Sequence, residues 1–447
     1  MSLTVIVLAA GQGSRMNSDL PKVLHPLAGV PMLHHALAAA RSLEPSGIVV
    51  VTGHGAEAVG RAARAFDEGV EVAHQAEQLG TAHAVAQAAR WLKGSGPALV
   101  LYGDTPFVGE TTLRALLEAL DRHAVTVLGF EAAHPGRYGR LVTDGDDLLR
   151  IVEYLDATDE ERAIRLCNSG VVACRADLLG ELVAAVGNDN AKGEYYLTDI
   201  VALARARGLS AGVVRCPEAE TLGINTRAEL AAAEAIFQAR ARAAALEDGV
   251  TLADPATTYF ALDTVIGRDA AVGPCTVFGP GVSVESGAEI RGFCHLEGCH
   301  ISAGATVGPF ARLRPGAELA EDVHVGNFVE IKNAVLDPGV KVGHLTYLGD
   351  AHVGEGANIG AGTVTCNYDG VSKHRTEIGA GAFIGSDTML VAPVRIGAGA
   401  MTASGSVITM DVPADALAVA RARQEVKPGF AARLMARLRA ARDMKKG

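Results

Sequence analysis

A run with a period of six residues, from about Val265 to Ile408, constrains the fold of this chain more than any other feature. Branched apolar residues recur at every sixth position, and a glycine often follows them. Because six is a multiple of the two-residue period of a strand, the apolar side chains all point to the same face, and glycines permit turns between short strands. A helix would repeat every three to four residues and would be weakened by this much glycine. The run therefore predicts a parallel β-helix of hexapeptide repeats, whereas a glycine-rich β-sandwich gives no reason for a fixed period.

The repeat is not perfectly regular, and its last part resumes at Ile378 after a gap that follows Ile359. It restarts one residue early at Ile301, and it breaks between Ile331 and Val353, where polar residues are crowded together. The inward-facing residues that the period predicts are Ile266, Val272, Phe278, Val284, Ile290, Leu296, Ile301, Val307, Leu313, Leu319, Val325, Ile331, Val353, Ile359, Ile378, Ile384, Leu390 and Ile396.

The composition limits the class of protein. A chain of 447 residues that is 49% hydrophobic and 20% charged is long enough for two or three globular domains. Its net charge of −11 argues against a protein that binds nucleic acid or a membrane surface, although local charge can still bind phosphorylated substrates. Seven cysteines without a CxxC or metal-like spacing predict reduced thiols in a cytoplasmic protein. There is no basic segment before the first apolar run and no apolar run of transmembrane length, so we expect neither a signal peptide nor membrane insertion.

The N-terminal apolar run, residues 3–10, predicts a parallel strand that is buried on both faces. The loop that follows, Gly11–Met16, contains glycines that let backbone N–H groups approach a phosphate, and Arg15 adds positive charge. The loop lacks the closing Gly-Lys-Ser/Thr of a Walker A motif and the third glycine of a dinucleotide fingerprint. By itself it is a weak indication of nucleotide binding.

Further strands are predicted at Gly47–Val51, Pro97–Tyr102 and Ala124–Phe130. They alternate with Ala-rich helical stretches predicted at Met32–Ser42, Ala82–Leu92 and Thr111–His123. That alternation is typical of a doubly wound, Rossmann-like α/β sheet, in which ligands gather at the carboxyl ends of the strands. Asp104 follows one such end and suits Mg²⁺, a hard cation with oxygen ligands. An Asp two residues before a proline can equally be a turn-forming residue with a structural role alone.

The order of these blocks resembles the sugar-nucleotide pyrophosphorylase family. Ser14 stands where this family more usually has Thr, a change that keeps the hydroxyl. The residues that carry the resemblance are Leu8–Met16, Pro21-Lys22, Gln75–Thr81, Tyr102–Asp104, Tyr138–Arg140, Ile151–Glu153, Asn168–Gly170, Gly193–Asp199 and Gly223–Asn225.

The resemblance implies that the N-terminal domain, residues 1–227, binds UTP and a sugar 1-phosphate. It implies that Asp104 and Asn225 hold Mg²⁺, while Lys22 and Arg15 neutralise charge in the transition state and on the leaving pyrophosphate. A Lys after a Pro is more often a solvated surface residue, and only the resemblance favours the catalytic role. The implied nucleotide and sugar contacts are Leu8, Ala9, Ala10, Gly11, Gly13, Lys22, Gln75, Gly80, Thr81, Tyr102, Gly103, Asp104, Gly139, Glu153, Asn168 and Asn225.

A stretch of strong helix formers begins after Thr226, with Glu229 in the capping-box position. It predicts a long helix, 228–248, that links the first domain to a second one at 249–447. A helix packed within one domain is the alternative. The basic, Ala/Arg-rich end, residues 427–447, predicts an amphipathic helix or a loose tail.

Polar residues concentrate where the repeat breaks, within about 60 residues after Arg312. If coils are about eighteen residues long, Arg314, Lys332 and Asp350 fall near one column, and Glu330 lies close to Tyr347 and His344. A single His in a strand is more often structural than catalytic. Beside a cationic cluster, however, a neutral imidazole suits the deprotonation of an attacking amine, and Glu330 could orient the ring.

These blocks resemble the family of bifunctional glucosamine-1-phosphate acetyltransferase/N-acetylglucosamine-1-phosphate uridyltransferases of bacterial cell-envelope synthesis. The resemblance spans essentially the whole chain. It rests on Gly308–Gly316, Val325–Glu330, Gly343–Asp350 and Asn358–Gly370.

The family resemblance implies a left-handed β-helix that forms a homotrimer, with acetyl-CoA bound between subunits. His344 is implied as the general base with Glu330 near it, and glucosamine 1-phosphate is implied to contact Arg314, Lys332, Tyr347, Asn358 and Lys373. Ser404 stands where Ala is common, and the segment after Arg421 is divergent. The basic tail, residues 427–447, could lie near the CoA phosphates, although a solvated helix face is the more common role of such a segment. The implied acetyl-CoA contacts are Ala361, Asn367, Tyr368, Ser386, Ser404 and Arg421.

Two other readings are compatible with the architecture. One is a different sugar-nucleotide pyrophosphorylase whose β-helix serves only for oligomerisation. The other is a non-enzymatic regulatory or exchange-factor subunit built from the same two folds. The presence of Lys22, Asp104, Asn225 and His344 argues against the second, and neither explains the polar residues around His344.

Overall fold

The computed structural model describes residues 2–145 and 147–445. The chain divides into two compact units: one runs to Ala244 and includes Tyr259–Asp263, and the other comprises Ala245–Thr258 and the chain from Thr264 onward. The last two residues of the predicted C-terminal tail, 446 and 447, lie outside the described residues.

The first unit is built on a mixed β-sheet. The strands of this unit are β1 (Thr4–Ala9), β2 (Pro26–Leu27), β3 (Val30–Pro31), β4 (Gly47–Thr52), β5 (Glu71–His74), β6 (Pro97–Tyr102), β7 (Val125–Glu131), β8 (Arg140–Asp144), β9 (Asp147–Val152), β10 (Leu166–Arg175) and β11 (Ala211–Cys216). The strand order of the sheet is β5-β4-β1-β6-β10-β7-β11-β9-β8. Strands β1, β4, β5 and β6 are parallel neighbours, whereas β10 runs antiparallel between β6 and β7.

The apolar run at the N-terminus forms β1, as predicted, and it is buried on both faces. Val5 and Val7 pack into one core layer, while Ile6 and Leu8 pack into the other. Because Leu8 is the register partner of Tyr102, the carboxyl ends of β1 and β6 lie side by side. The glycine loop after β1 and Asp104 after β6 are therefore brought to the same edge of the sheet.

Helices cover this sheet. The three that the sequence predicted are present, although the second and third end earlier than predicted and continue as 3₁₀ turns at Ala89–Trp91 and Ala119–Asp121. The α-helices of the chain are Met32–Arg41, Ala56–Phe66, Thr81–Ala86, Glu110–Glu118, Asp159–Arg162, Ala176–Ala184, Asp199–Ala206, Arg227–Glu247 and Phe430–Met444, and the other 3₁₀ turns are Ser14–Met16, Lys22–Leu24, Glu218–Glu220 and Pro255–Thr257.

The long helix Arg227–Glu247 begins with the predicted capping box. The Glu229 N–H donates to Thr226 Oγ1 at 3.2 Å, and Glu229 Oε2 accepts from the Thr226 N–H at 2.9 Å. Ala233 belongs to the same apolar cluster as Met32 and Phe237 packs against that cluster, while the Gln238 amide is buried and bonded to the backbone of Phe260. Much of the helix therefore packs on the first unit.

The second unit is a parallel β-helix, as the period-six run predicted. One sheet contains Thr251–Leu252, Ala271–Val272, Glu289–Ile290, Thr306–Val307, His324–Asn327, Lys341–His344, Asn358–Ile359, Phe383–Ile384, Met401–Thr402 and Leu417–Ala418. The other contains Val265–Ile266, Val277–Phe278, Ser283–Val284, His295–Leu296, Cys299–Ile301, Arg312–Leu313, Ala317–Leu319, Glu330–Leu336, Tyr347–Val353, Val364–Cys366, Thr376–Ile378, Met389–Val391, Val394–Ile396 and Val407–Ile408.

The inward positions confirm the periodic pattern, with one correction. Every predicted inward residue is buried except Ile266, which is half-buried. The break predicted after Ile331 was wrong, because Leu336, Val342 and Leu348 fill the same interior. The step from Ile331 to Leu336 is five residues instead of six, which shortens that coil. A strict period of six therefore does not predict Leu336, Val342 and Leu348 as inward residues.

Candidate active sites

The first site lies at the edge of the sheet where β1 and β6 end. A cavity of about 270 Å³ opens there between the glycine loop and the start of the helix at Thr81. Ten residues that the sequence predicted line it: Leu8, Ala9, Ala10, Gly11, Lys22, Gln75, Gly80, Thr81, Tyr102 and Asp104. Gln78 and Glu194 also line it, and the sequence reasoning did not nominate either one.

Two glycines shape this cavity through close backbone approach. Gly80 has φ +117°, and a Cβ there would lie 2.4 Å from the Tyr195 carbonyl oxygen. Gln75 fixes the same turn by donating from Nε2 to the Gly80 oxygen at 3.1 Å. Gly13 has φ +68° and rests against the Lys22 side chain, with only 2.5 Å between an added Cβ and Lys22 Cβ. The glycine loop and Lys22 are therefore in direct contact.

The Lys22 side chain contacts both predicted metal ligands, Asp104 and Asn225. Its Nζ contacts Asp104 Oδ2, and it donates to Asn225 Oδ1 at 3.0 Å. Since both oxygens contact one ammonium group, they are close enough to share a single cation. A carboxylate and an amide oxygen are the hard ligands that Mg²⁺ accepts, with phosphates and water filling its remaining positions. The donor set therefore fits the predicted ion, although the described residues contain no group of three or more acidic, His or Cys side chains that could hold one alone.

A second cavity in this unit, of about 440 Å³, contains the predicted Arg15 and Glu153. Burial raises the pKa of Glu153, while the nearby Lys192 lowers it. Gly139 and Asn168 adjoin this carboxylate: a Cβ on Gly139 would lie 3.4 Å from Glu153 Oε1, and the Asn168 N–H donates to the Gly139 oxygen at 2.9 Å. The three predicted sugar contacts are thus brought together.

The sequence reasoning missed other residues of the second cavity. Arg137, Tyr154, Lys192 and Tyr196 line it. Tyr196 lies within the block Gly193–Asp199, and Lys192 directly precedes that block. The block helped to establish the family resemblance, yet no residue from it was predicted as a site residue. That block was the available signal.

The second site lies on the β-helix, where cationic side chains share one face. Leu313 and Ile331 are register partners, which places Arg314 beside Lys332 as predicted. Lys373 contacts Lys332, and this neighbouring ammonium group lowers the Lys332 pKa. A face that holds these cations together is suited to a phosphate group, which would relieve their mutual repulsion.

Asp350 does not lie in the Arg314–Lys332 column. Because Glu330 pairs with Tyr347, the coil there is seventeen residues long, and Lys332 aligns with Gly349. Asp350 is one position further, where its carboxylate accepts from Asn333 Nδ2 at 2.6 Å and contacts Asn367 Nδ2. Its Oδ2 is also 3.9 Å from Lys373 Nζ. Asp350 therefore lies next to the cationic face, where its carboxylate is near the Lys373 ammonium group.

Glu330 has cationic partners. Its Oε1 accepts from Arg314 Nη1 at 2.8 Å, and its Oε2 lies 3.7 Å from Arg312 Nη1. Tyr347 is its register partner, as predicted, and the Tyr347 hydroxyl lies 3.5 Å from Asn367 Nδ2.

His344 is exposed at the end of its strand, in the neighbouring sheet. Its Nδ1 contacts Asn327 Oδ1, a residue that the sequence reasoning did not nominate. Asn358 belongs to the same sheet as His344, as the register partner of Lys341. The predicted Glu330 contact with His344 is not among the hydrogen bonds of the described residues.

Four of the predicted acetyl-CoA contacts form one column at a corner of the β-helix. The Asp387 N–H donates to the Ala361 oxygen at 2.7 Å, and the Gly405 N–H donates to the Ser386 oxygen at 2.8 Å, so Ala361, Ser386 and Ser404 follow one another in successive coils. Arg421 donates from Nη1 to the Ser404 oxygen at 2.9 Å. Asn367 and Tyr368 lie apart from this column, where a longer loop interrupts the coil before Thr376.

Together, the two units define a class of protein: an α/β nucleotidyltransferase unit and a hexapeptide β-helix that carries an exposed histidine and a cationic face. Comparison with known proteins agrees. Residues 5–190 match the MobA-like NTP transferase domain family, which makes nucleotidyl transfer from a nucleoside triphosphate the reaction of the first unit.

Curated relatives match the whole chain. The bifunctional protein GlmU of Cereibacter sphaeroides is 77% identical over 100% of this chain and 98% of its own length. The GlmU proteins of Paracoccus denitrificans and Dinoroseobacter shibae are 70% and 68% identical, covering 98% and 100% of this chain and 98% and 99% of their own. The chain belongs to the GlmU family of bifunctional enzymes, which confirms the family predicted from its sequence blocks.

Proposed function

We propose that this chain makes UDP-N-acetylglucosamine in two steps: acetyl transfer from acetyl-CoA to glucosamine 1-phosphate on the β-helix, and uridylyl transfer from UTP to the product in the first unit. The observation that carries the proposal is that one chain of this family holds both an NTP-transferase cavity and an exposed histidine on a β-helix that also presents a lysine–arginine cluster.

For acetyl transfer, the cationic face binds the sugar phosphate through Arg314, Lys332 and Lys373. The amine of the sugar attacks the thioester carbonyl, and His344 takes the proton that the amine loses. The carbon–sulfur bond then breaks, and the CoA thiolate leaves and is protonated. Tyr347, Asn358 and the corner column of Ala361, Ser386, Ser404 and Arg421, with Asn367 and Tyr368, are proposed to position the two substrates.

For uridylyl transfer, Asp104 and Asn225 would hold Mg²⁺, which neutralises phosphate charge when bound. Lys22 and Arg15 bring further positive charge to the phosphates, as the contact between Lys22 and the glycine loop supports. An oxygen of the sugar phosphate attacks the α-phosphorus of UTP, and the bond to pyrophosphate breaks. Glu153, Asn168 and Gly139 would contact the N-acetyl sugar.

A homotrimer is proposed through the β-helix. Its support is an exposed apolar stripe along one corner, formed by Phe293, Phe310, Phe328 and Leu345, which are 53%, 45%, 55% and 62% exposed. The rings of Phe293 and Phe310 stack with centroids 4.8 Å apart. Single chains rarely leave such a stripe in water, so contact with other copies would cover it. Sedimentation equilibrium at several concentrations would test this assembly.

A cytoplasmic location is proposed from the reduced cysteines and the nucleotide substrates. In the part of the chain that the structure describes, no helix combines the length and the apolar character needed to span a membrane.

The test of the proposed function is thiol release from acetyl-CoA in the presence of glucosamine 1-phosphate, with glucosamine 6-phosphate as the control. Release with the 1-phosphate only is the expected result. If folded protein releases no thiol but still forms pyrophosphate from UTP, the β-helix is a scaffold and the chain is a pyrophosphorylase of another specificity.

A further inference from the structure

In the structure the His344 ring is bonded to Asn327, whereas the sequence led us to expect that Glu330 would orient it. We propose that Asn327 is the positioning residue for His344 in acetyl transfer, the part that the sequence reasoning gave to Glu330. This inference rests on the proposed acetyltransferase function, and it assigns Glu330 to the positioning of Arg314.

The hydrogen bond between the two side chains determines which nitrogen of the ring can accept a proton. His344 Nδ1 contacts Asn327 Oδ1, an amide oxygen that can only accept. The ring must therefore carry its hydrogen on Nδ1, which leaves Nε2 unprotonated. Nε2 is then the nitrogen that takes the proton from the attacking amine.

The backbone fixes this contact, because the two residues occupy the same position in successive coils. Asn327 and His344 are register partners, and the backbone N–H of Leu345 donates to the backbone carbonyl oxygen of Asn327 at 3.1 Å. The residues after them, Phe328 and Leu345, both turn the chain with left-handed φ values of 56° and 53°.

The residues before Asn327 and His344 are both glycine. A Cβ on Gly326 would lie only 1.9 Å from the Gly343 oxygen. The two coils can approach this closely only without a side chain at that position. The polar pair is therefore held in place by the close packing of its own turns.

At the matching positions of the neighbouring coils, the described residues offer the ring no second polar side chain. The Phe328 N–H donates to the Phe310 oxygen at 3.1 Å, which places Pro309 in line with Asn327 in the preceding coil. Lys341 pairs with Asn358, and continuing that register places Ala361 in line with His344 in the following coil. Ser386 and Ser404 lie further along the column, two and three coils from His344, so in the coils next to the ring Asn327 is the described residue of this column that holds the imidazole by a side-chain hydrogen bond.

Other titratable and charged groups near His344 could affect the pH dependence of acetyl transfer. His324 lies on the same sheet, and burial, together with Arg291, His344 and Lys341, lowers its pKa, while Glu289 raises it. His324 is therefore neutral near pH 7, and its own titration lies on the acid side of its ordinary value. Glu330 is paired with Arg314 and Arg312.

The experiment compares Asn327→Ala, Asn327→Asp and Glu330→Gln in the full chain, with the pH dependence of kcat for thiol release as the readout. Asn327→Ala should lower kcat about 100-fold with little change in the KM for glucosamine 1-phosphate, since a misoriented base costs about that much. Asn327→Asp should recover part of the rate, and its acid limb should move to higher pH, because a carboxylate at Nδ1 favours the charged ring. Glu330→Gln should raise KM and leave the acid limb in place.

Circular dichroism and sedimentation of each variant, matched to wild type, establish that the β-helix is intact. An unchanged kcat in folded Asn327→Ala overturns the inference. The inference is also overturned if Asn327→Ala and Asn327→Asp lose kcat equally and both keep the acid limb at the wild-type pH. A purely structural role of Asn327 would give that result. Absence of thiol release by wild type would instead remove the proposed function itself.

Discussion

Replacing Gly80 with Ala combines two costs at the edge of the nucleotide cavity. At φ +117° an alanine occupies a backbone region that costs about 1–3 kcal/mol. Its Cβ would also meet the Tyr195 oxygen at 2.4 Å and the Tyr195 nitrogen at 2.7 Å, and overpacking of this kind costs about 1–3 kcal/mol. Both neighbours are backbone atoms, so neither can rotate away. The sum is roughly 2–6 kcal/mol of local stability.

Amide hydrogen exchange measures this local cost directly. The Tyr195 N–H donates to the Leu79 oxygen at 2.8 Å, and the Ala82 N–H donates to the Tyr195 oxygen at 2.9 Å, so both amides report opening around Gly80. A loss of about 2 kcal/mol corresponds to roughly 30-fold faster exchange through opening. Uridylyl transfer should fall as well, while acetyl transfer should be retained because its residues lie in the other unit.

Gly94 supplies a matched control. It has φ +81° but no atom within 4 Å of an added Cβ, so Gly94→Ala tests the backbone conformation without the clash. The Asp177 N–H, which donates to the Gly94 oxygen at 3.1 Å, reports its effect. If Gly80→Ala accelerates exchange no more than Gly94→Ala does, the close approach of Tyr195 contributes nothing and the reasoning is refuted.

Three further predictions concern the two sites. Asp104→Ala should abolish uridylyl transfer and spare acetyl transfer, because it removes the carboxylate that Lys22 and the proposed Mg²⁺ share; retained Mg²⁺-dependent pyrophosphate release would remove it from that role. His344→Ala should do the reverse, and equal loss of both activities would contradict independent sites. Burial raises the pKa of Glu153 above its ordinary value, so the folded state binds that proton more tightly than the unfolded state and loses stability as pH rises through the two pKa values. The Tm of Glu153→Gln should therefore exceed that of wild type by an amount that grows as pH rises from about 4, and a constant Tm difference would show that this carboxyl is not the cause.

Local patterns predicted much of the fold. The period of six identified the inward face of the β-helix, because the alternation of side chains along a strand needs only a few residues to be read. The apolar run of β1 predicted a strand buried on both faces, and Thr226 with Glu229 predicted the start of the long helix, since a cap forms within one turn. The residues that line the nucleotide cavity were predicted because short sequence blocks resemble a known family. The chemistry of each residue taken alone did not identify them.

The contacts that the sequence did not show are those between residues far apart along the chain. Lys22 meets Asp104 and Asn225 across 82 and 203 residues of sequence, and nothing local to Lys22 distinguishes it from a surface lysine. The column of Arg314 and Lys332 was predicted, but Asp350 was misplaced because one coil has seventeen residues. The same shortening aligns Asn327 with His344, a pairing that an eighteen-residue count does not give.

The sequence by itself therefore determined the two architectures, the family and most of the residues that gather at each site, because strand periodicity, caps and motif blocks are written within short stretches of chain. Tertiary structure alone decided which of those residues touch: that Lys22 spans both predicted metal ligands, that Glu330 holds Arg314, and that Asn327 holds the His344 imidazole. The physical reason is that register between coils and strands is set by the summed packing of the whole core. A change of one residue in that register exchanges one side-chain partner for another.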